Sequence, residues 1–91
     1  MKIIKEYIKK NIPCKVGIIP MKDNKVIGDE LLGCCIDNPS IIDDLLEYLS
    51  SVDPVAEFSE DKYKDCDFKI VIKKEHTNKG RGEFTVAIFD I

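Results

Sequence analysis

Four thiols and one imidazole carry the most reactive chemistry in this sequence: Cys14, Cys34, Cys35, Cys66 and His76. A cysteine nucleophile needs its base within about 3 Å. Cys66 and His76 stand at the two ends of "CDFKIVIKKEH", which reads as a single extended strand. A strand advancing ~3.3 Å per residue holds them about 33 Å apart, so they do not form a dyad. Nothing in the spacing brings His76 to Cys14, Cys34 or Cys35. A reactive thiolate also needs a neighbouring cation or a helix N-terminus, and only Cys14, beside Lys15, has a local hint of one. Structural zinc favours closely paired ligands such as CxxC, and none is present. Cys34 and Cys35, adjacent on a strand, point to opposite faces. We expect one of them in the core and the other facing outward or under a helix, all four thiols reduced and mostly buried, and neither metal nor cofactor.

The segment "KKEHTNKGRGEF" (73–84) concentrates Gly, Lys, Arg and the sole His. A phosphate cradle sets converging amides at the start of a helix, with a fixed glycine spacing. Here the spacing is different and a strand follows, so the segment reads as a hairpin loop: Asn78 and Gly80 suit positive φ, and Lys79 and Arg81 solvate the tip. An anion or nucleic-acid site at Lys73, Lys74, Lys79 and Arg81 is the alternative. Carboxylates are abundant, in pairs such as Asp29–Glu30, Asp43–Asp44, Glu60–Asp61 and Asp65/Asp67. General acid–base work needs a desolvated carboxyl, whereas these lie in polar or turn-like contexts that keep them ionised.

The elements that position these residues follow from periodicity. Ile3, Ile4, Tyr7 and Ile8 share one face of an N-terminal helix with Lys2, Lys5 and Lys9 opposite, ended near Asn11 by Pro13. "CKVGIIPM", "KDNK" and "VIGDELLGCCI" form a β-hairpin whose second arm is interrupted around Gly28 and Gly33. Ile41, Ile42, Leu45, Leu46 and Leu49 line a second helix over about 40–51, capped by Asn38 with Pro39 following or by Ser40, with Asp43 and Asp44 at its positive end. A short strand is expected at 55–58, then a hairpin of "DFKIVIKKE" and "EFTVAIFDI", the latter apolar on both faces like an interior strand. The predicted fold is α+β: a two-layer domain, its mainly antiparallel sheet of four to five strands covered on one face by two helices, in the order α-β-β-α-(β)-β-β.

The 91 residues are expected to form one compact domain, residues 1–91. So short a chain buries roughly 60–65% of its unfolded surface, which favours a binding surface over a deep enclosed pocket. A content of 44% hydrophobic and 34% charged residues fits an ordered globule. No apolar run reaches the ~20 residues of a membrane span, and "MKIIKEYIKKNIP" lacks the features of a secretory signal, so a cytoplasmic location is expected. Thirteen Lys against one Arg, with abundant Ile, suggests an AT-rich genome, bacterial or viral.

The charge layout carries the functional expectation. Residues 1–25 hold seven Lys against two acids, residues 26–67 two Lys against twelve acids, and residues 68–91 five basic against three acidic residues. The acidic middle points to a non-catalytic interaction module, a small adaptor, regulator or inhibitor. It would dock through Asp43, Asp44, Glu47, Asp53, Glu57, Glu60, Asp61 and Asp65 on a larger protein with a basic surface, or on a second copy of itself as a homodimer. By size and charge alone it is comparable to the inhibitors that phages and mobile elements direct at host nucleases or defence complexes. Nucleic-acid binding through the 73–82 loop and the N-terminal Lys helix is a second reading, weakened by a pI near 5.1. A cysteine-based enzyme is the third.

Overall fold

A computed structural model describes residues 2–58, 60–75 and 82–90. In chain order the elements are α1 (Lys2–Asn11), β1 (Cys14–Lys22), β2 (Lys25–Val26), β3 (Leu32–Ile36), a 3₁₀ turn (Pro39–Ile41), α2 (Ile42–Ser51), α3 (Pro54–Glu57), a second 3₁₀ turn (Asp61–Tyr63), β4 (Asp67–Glu75) and β5 (Glu83–Asp90). The α+β prediction holds: the strands form an antiparallel five-stranded sheet in the order β2-β1-β4-β5, with β3 beside β2 on the same edge of β1. None of the described helices is long and apolar enough to cross a membrane.

Strand alternation divides the sheet into two faces. Val16, Ile18, Ile36, Ile70 and Ile72 point one way and are fully buried against Ile4 and Ile8 of α1 and Ile42, Leu46 and Leu49 of α2. Val86 and Phe89 of β5 extend this core, and Tyr7 of α1 meets Phe89 edge-on at 5.3 Å between ring centroids. Ile19, Met21 and Val71 make a smaller cluster on the opposite face. A least dimension of 17 Å against 36 and 31 Å is the thickness of one sheet plus one helix layer.

Local chemistry explains the joints. Asp23 (φ 53°) and Asn24 (φ 64°) both adopt left-handed backbone, which turns β1 into β2 in two residues. β2 and β3 are one edge strand broken at Ile27–Leu31, which stays attached because the Ile27 amide donates to the Pro20 carbonyl (3.1 Å) and the Leu31 amide to that of Ile18 (2.8 Å). A strand residue presents its N and O to the same neighbour, so the donor that Pro20 lacks falls on this edge, where the ladder is interrupted. At the start of the helical region the Asn38 side chain accepts a hydrogen bond from the Ser40 amide at 3.0 Å with Pro39 next in line, so Asn38 rather than Ser40 is the cap.

Three expectations are corrected. Residues 54–57 form a helical turn, α3, and no strand: the Asp53 carboxylate accepts from the Ala56 amide and Pro54 opens the turn, giving this short stretch a cap that outweighs its β-branched Val55. β5 is an edge strand and mostly exposed; β4, between β1 and β5, is the interior strand. Cys34 and Cys35 do lie on a strand, but β3 is on the sheet edge and both are exposed, while Cys66 is half-buried and only Cys14 is buried. All four are free thiols.

Candidate functional site

The acidic residues singled out from sequence are all on the surface, with differing engagements. On α2, Asp43, Asp44 and Glu47 face outward, and Asp43 is held by Lys5 of α1 at 2.7 Å. Asp53 caps α3, Glu57 closes it, and Glu60 pairs with Lys62 at 3.4 Å. Among the described residues, Asp44, Glu47, Asp53, Glu57, Asp61 and Asp65 have no ion-pair partner within 4.0 Å. Asp65 turns the chain into β4 with a left-handed backbone (φ 64°), a conformation that Asp tolerates better than most residues.

Three of these acids, Glu60, Asp61 and Asp65, border a recess of about 460 Å³ between α3 and the start of β4. Its apolar wall is built from Phe58, Tyr63 and Phe68, with Cys66 among the lining residues. Phe68 is the shared neighbour: its ring centroid lies 6.0 Å from that of Phe58 and 6.4 Å from that of Tyr63, at interplanar angles of 36° and 61°. The Cys66 thiol donates to the Tyr63 carbonyl at 2.9 Å, and burial raises its pKa above the ordinary thiol value. Lys62 places its ammonium 5.0 Å from the centroid of the Tyr63 ring. The sequence reading used the carboxylates here and passed over the rings. A signal was present: three of the seven aromatic residues fall between 58 and 68.

The basic alternative is not gathered into one site. Neighbours in β4, Lys73 and Lys74 project to opposite faces. Lys73 is tied to Glu30 at 2.9 Å, and Lys79 and Arg81 lie outside the described residues, as does His76. A second recess, of about 430 Å³, lies where Lys73 and Lys15 meet Glu30 and Glu83 beside Gly33. Each lysine there has a carboxylate within 4.0 Å: Glu30 serves both, and Glu83 is 3.5 Å from Lys15. Glu30 and then Glu83 raise the pKa of Lys15. This cluster joins Ile27–Leu31, β1, β4 and β5 across the face away from the helices, and sequence spacing gave no sign of it.

The sequence hint of an activated Cys14 is reversed, because burial raises its pKa more than the Lys74 charge lowers it. Among the described residues no group of three or more His, Cys, Asp or Glu side chains is arranged to hold a metal ion. No protein family matches the chain, and no curated protein or solved structure is significantly similar to it.

Proposed function

We propose that the protein is a non-catalytic interaction module that docks on a basic surface of a larger protein through the acidic segment from α2 to the start of β4. The observation that carries this reading is the set of exposed carboxylates, Asp44, Glu47, Asp53, Glu57, Asp61 and Asp65, left without an internal cation among the described residues. Carboxylates already satisfied by their own lysines offer a partner little; uncompensated ones steer an oppositely charged surface and fix its register. The thiols whose pKa is shifted, Cys14 and Cys66, are shifted away from nucleophilic character, which favours binding over cysteine chemistry. An inhibitor or regulator from a phage or bacterial source is the class of protein this fits.

The test is co-purification from the source organism with the wild-type chain and with the variant D44N/E47Q/D61N/D65N, the eluates being treated with nuclease. The expected result is a stoichiometric protein partner, resistant to nuclease, weakened as salt rises and lost with the variant. Equal recovery with both chains, recovery of nucleic acid in place of a protein, or a self-associated chain alone would overturn the reading.

A further inference from the structure

We propose that the recess bounded by Phe58, Tyr63 and Phe68 receives an arginine side chain of the partner. This rests on the acidic-docking reading and names what part of that surface recognises. The recess combines two features that favour the same occupant. Its wall is aromatic, and ring faces attract cations through their negative π-density. Its border holds Glu60, Asp61 and Asp65 beside Lys64; Glu60 is paired with Lys62 at 3.4 Å, which leaves Asp61 and Asp65 without an ion-pair partner among the described residues. The Tyr63 ring already has a cation near it, the Lys62 ammonium at 5.0 Å. The Cys66 thiol donates to the Tyr63 carbonyl at 2.9 Å, and burial pushes its pKa above the ordinary thiol value.

Chemistry selects among occupants. An anion meets three carboxylates at the border and is repelled. An apolar side chain would fill the recess but would take water from those carboxylates without replacing their hydrogen bonds. A lysine ammonium is a strongly hydrated point charge with no plane to stack. A guanidinium is flat, weakly hydrated, stacks on a ring face and offers paired N–H groups to a carboxylate in the same pose. The splay of Phe58 and Tyr63 about Phe68, at 36° and 61°, gives the plane more than one ring surface to lie against. The volume of about 460 Å³ falls within the range of small-ligand sites, roughly 300–1,000 Å³.

The experiment titrates the full ¹⁵N-labelled chain with blocked Gly-Arg-Gly and with its citrulline and lysine counterparts, read by amide and aromatic NMR shifts. Citrulline keeps the shape of arginine and removes its charge. The expected result is saturable shifts at Phe58, Tyr63, Cys66 and Phe68 with the arginine peptide, weaker shifts with lysine and none with citrulline. Tyr63→Ala should weaken the arginine peptide about tenfold, whereas Tyr63→Phe, which keeps the ring, should bind like wild type. D61N/D65N should also weaken it, which keeps the test decisive if Tyr63→Ala fails to fold. Equal shifts with arginine and citrulline, no shift at the three rings, or shifts confined to α2 would each overturn the proposal. The two readings fail separately: if partner capture is lost in D44N/E47Q/D61N/D65N but unaffected by Tyr63→Ala, docking stands and the arginine receptor does not.

Discussion

Gly17 faces Gly33 across the β1–β3 register, and the missing side chain is what lets the two backbones meet. A methyl group placed on Gly17 would lie 2.1 Å from the Leu32 carbonyl oxygen, a backbone atom that cannot swing aside. Gly17→Ala should therefore push β3 from β1 and destabilise the protein by about 1–3 kcal/mol. Gly28 is the contrast: the nearest atom to an added methyl is Pro20 Cγ at 3.6 Å, an ordinary contact. Gly28→Ala should be neutral or stabilising by about 0.4–1 kcal/mol, through loss of freedom in the unfolded chain. Urea denaturation of both variants checks the pair, and equal effects would show that close approach at Gly17 is not what the position requires. The sequence pattern marks Gly28 as an interruption and leaves Gly17 inside an unbroken strand; only the strand pairing shows that Gly17 is the one with no room for a side chain.

At the scale of elements, α2 illustrates how much a local pattern can specify. Its buried positions Ile42, Leu46 and Leu49, its acidic first turn and its Asn38-Pro39 start were readable, because capping and amphipathicity act within a few residues, whereas Ile41 falls in the preceding 3₁₀ turn and is exposed. Asn38→Ala should cost about 1 kcal/mol by leaving the Ser40 amide without its acceptor, measurable as a lowered denaturation midpoint with an unchanged m-value. Asn38→Asp should retain most of that stability. α3 and β5 were misread for different reasons. In α3 a cap and a Pro outweighed the β-propensity of Val55, a contest within four residues that propensity decides poorly. For β5, apolar side chains on both faces suggested an interior strand; its helix-side residues Val86 and Phe89 are indeed used, yet the strand has one neighbour, β4. Pro20 gains its meaning only from the topology: in β1, a central strand, it leaves a gap in one neighbouring ladder.

At the scale of the whole molecule, every resolved pKa shift among the described residues runs upward: Cys14, Lys15, Lys62, Cys66 and Lys69. The folded state therefore holds these protons more tightly than the unfolded chain does. Their contribution is fully present below the unfolded values, about 9 for the thiols and about 10.5 for the lysines, and is lost as pH rises through the higher folded values. The urea midpoint should fall from about pH 9 upward, with a second decline above about pH 10.5. Glu30→Gln removes the largest cause of the Lys15 shift and should make the second decline shallower. A midpoint unchanged between pH 8 and 11 would contradict this assignment.

From the chain alone came the class of fold, α1 and α2 with the buried positions Ile4, Ile8, Ile42, Leu46 and Leu49, the β1 hairpin turn and the acidic middle, because these depend on periodicity, capping and composition over short spans; Ile3, Tyr7 and Ile41, assigned to the same apolar faces by spacing, are exposed. Tertiary structure alone decided the rest. It placed β5 on an edge, exposed Cys34 and Cys35, stitched Lys15 and Lys73 to Glu30, and set Phe58 and Tyr63 beside Phe68 under a rim of carboxylates. Which strands neighbour one another, and which charges end within 4 Å, depends on the packing of segments distant in sequence, and no pattern confined to one segment encodes it.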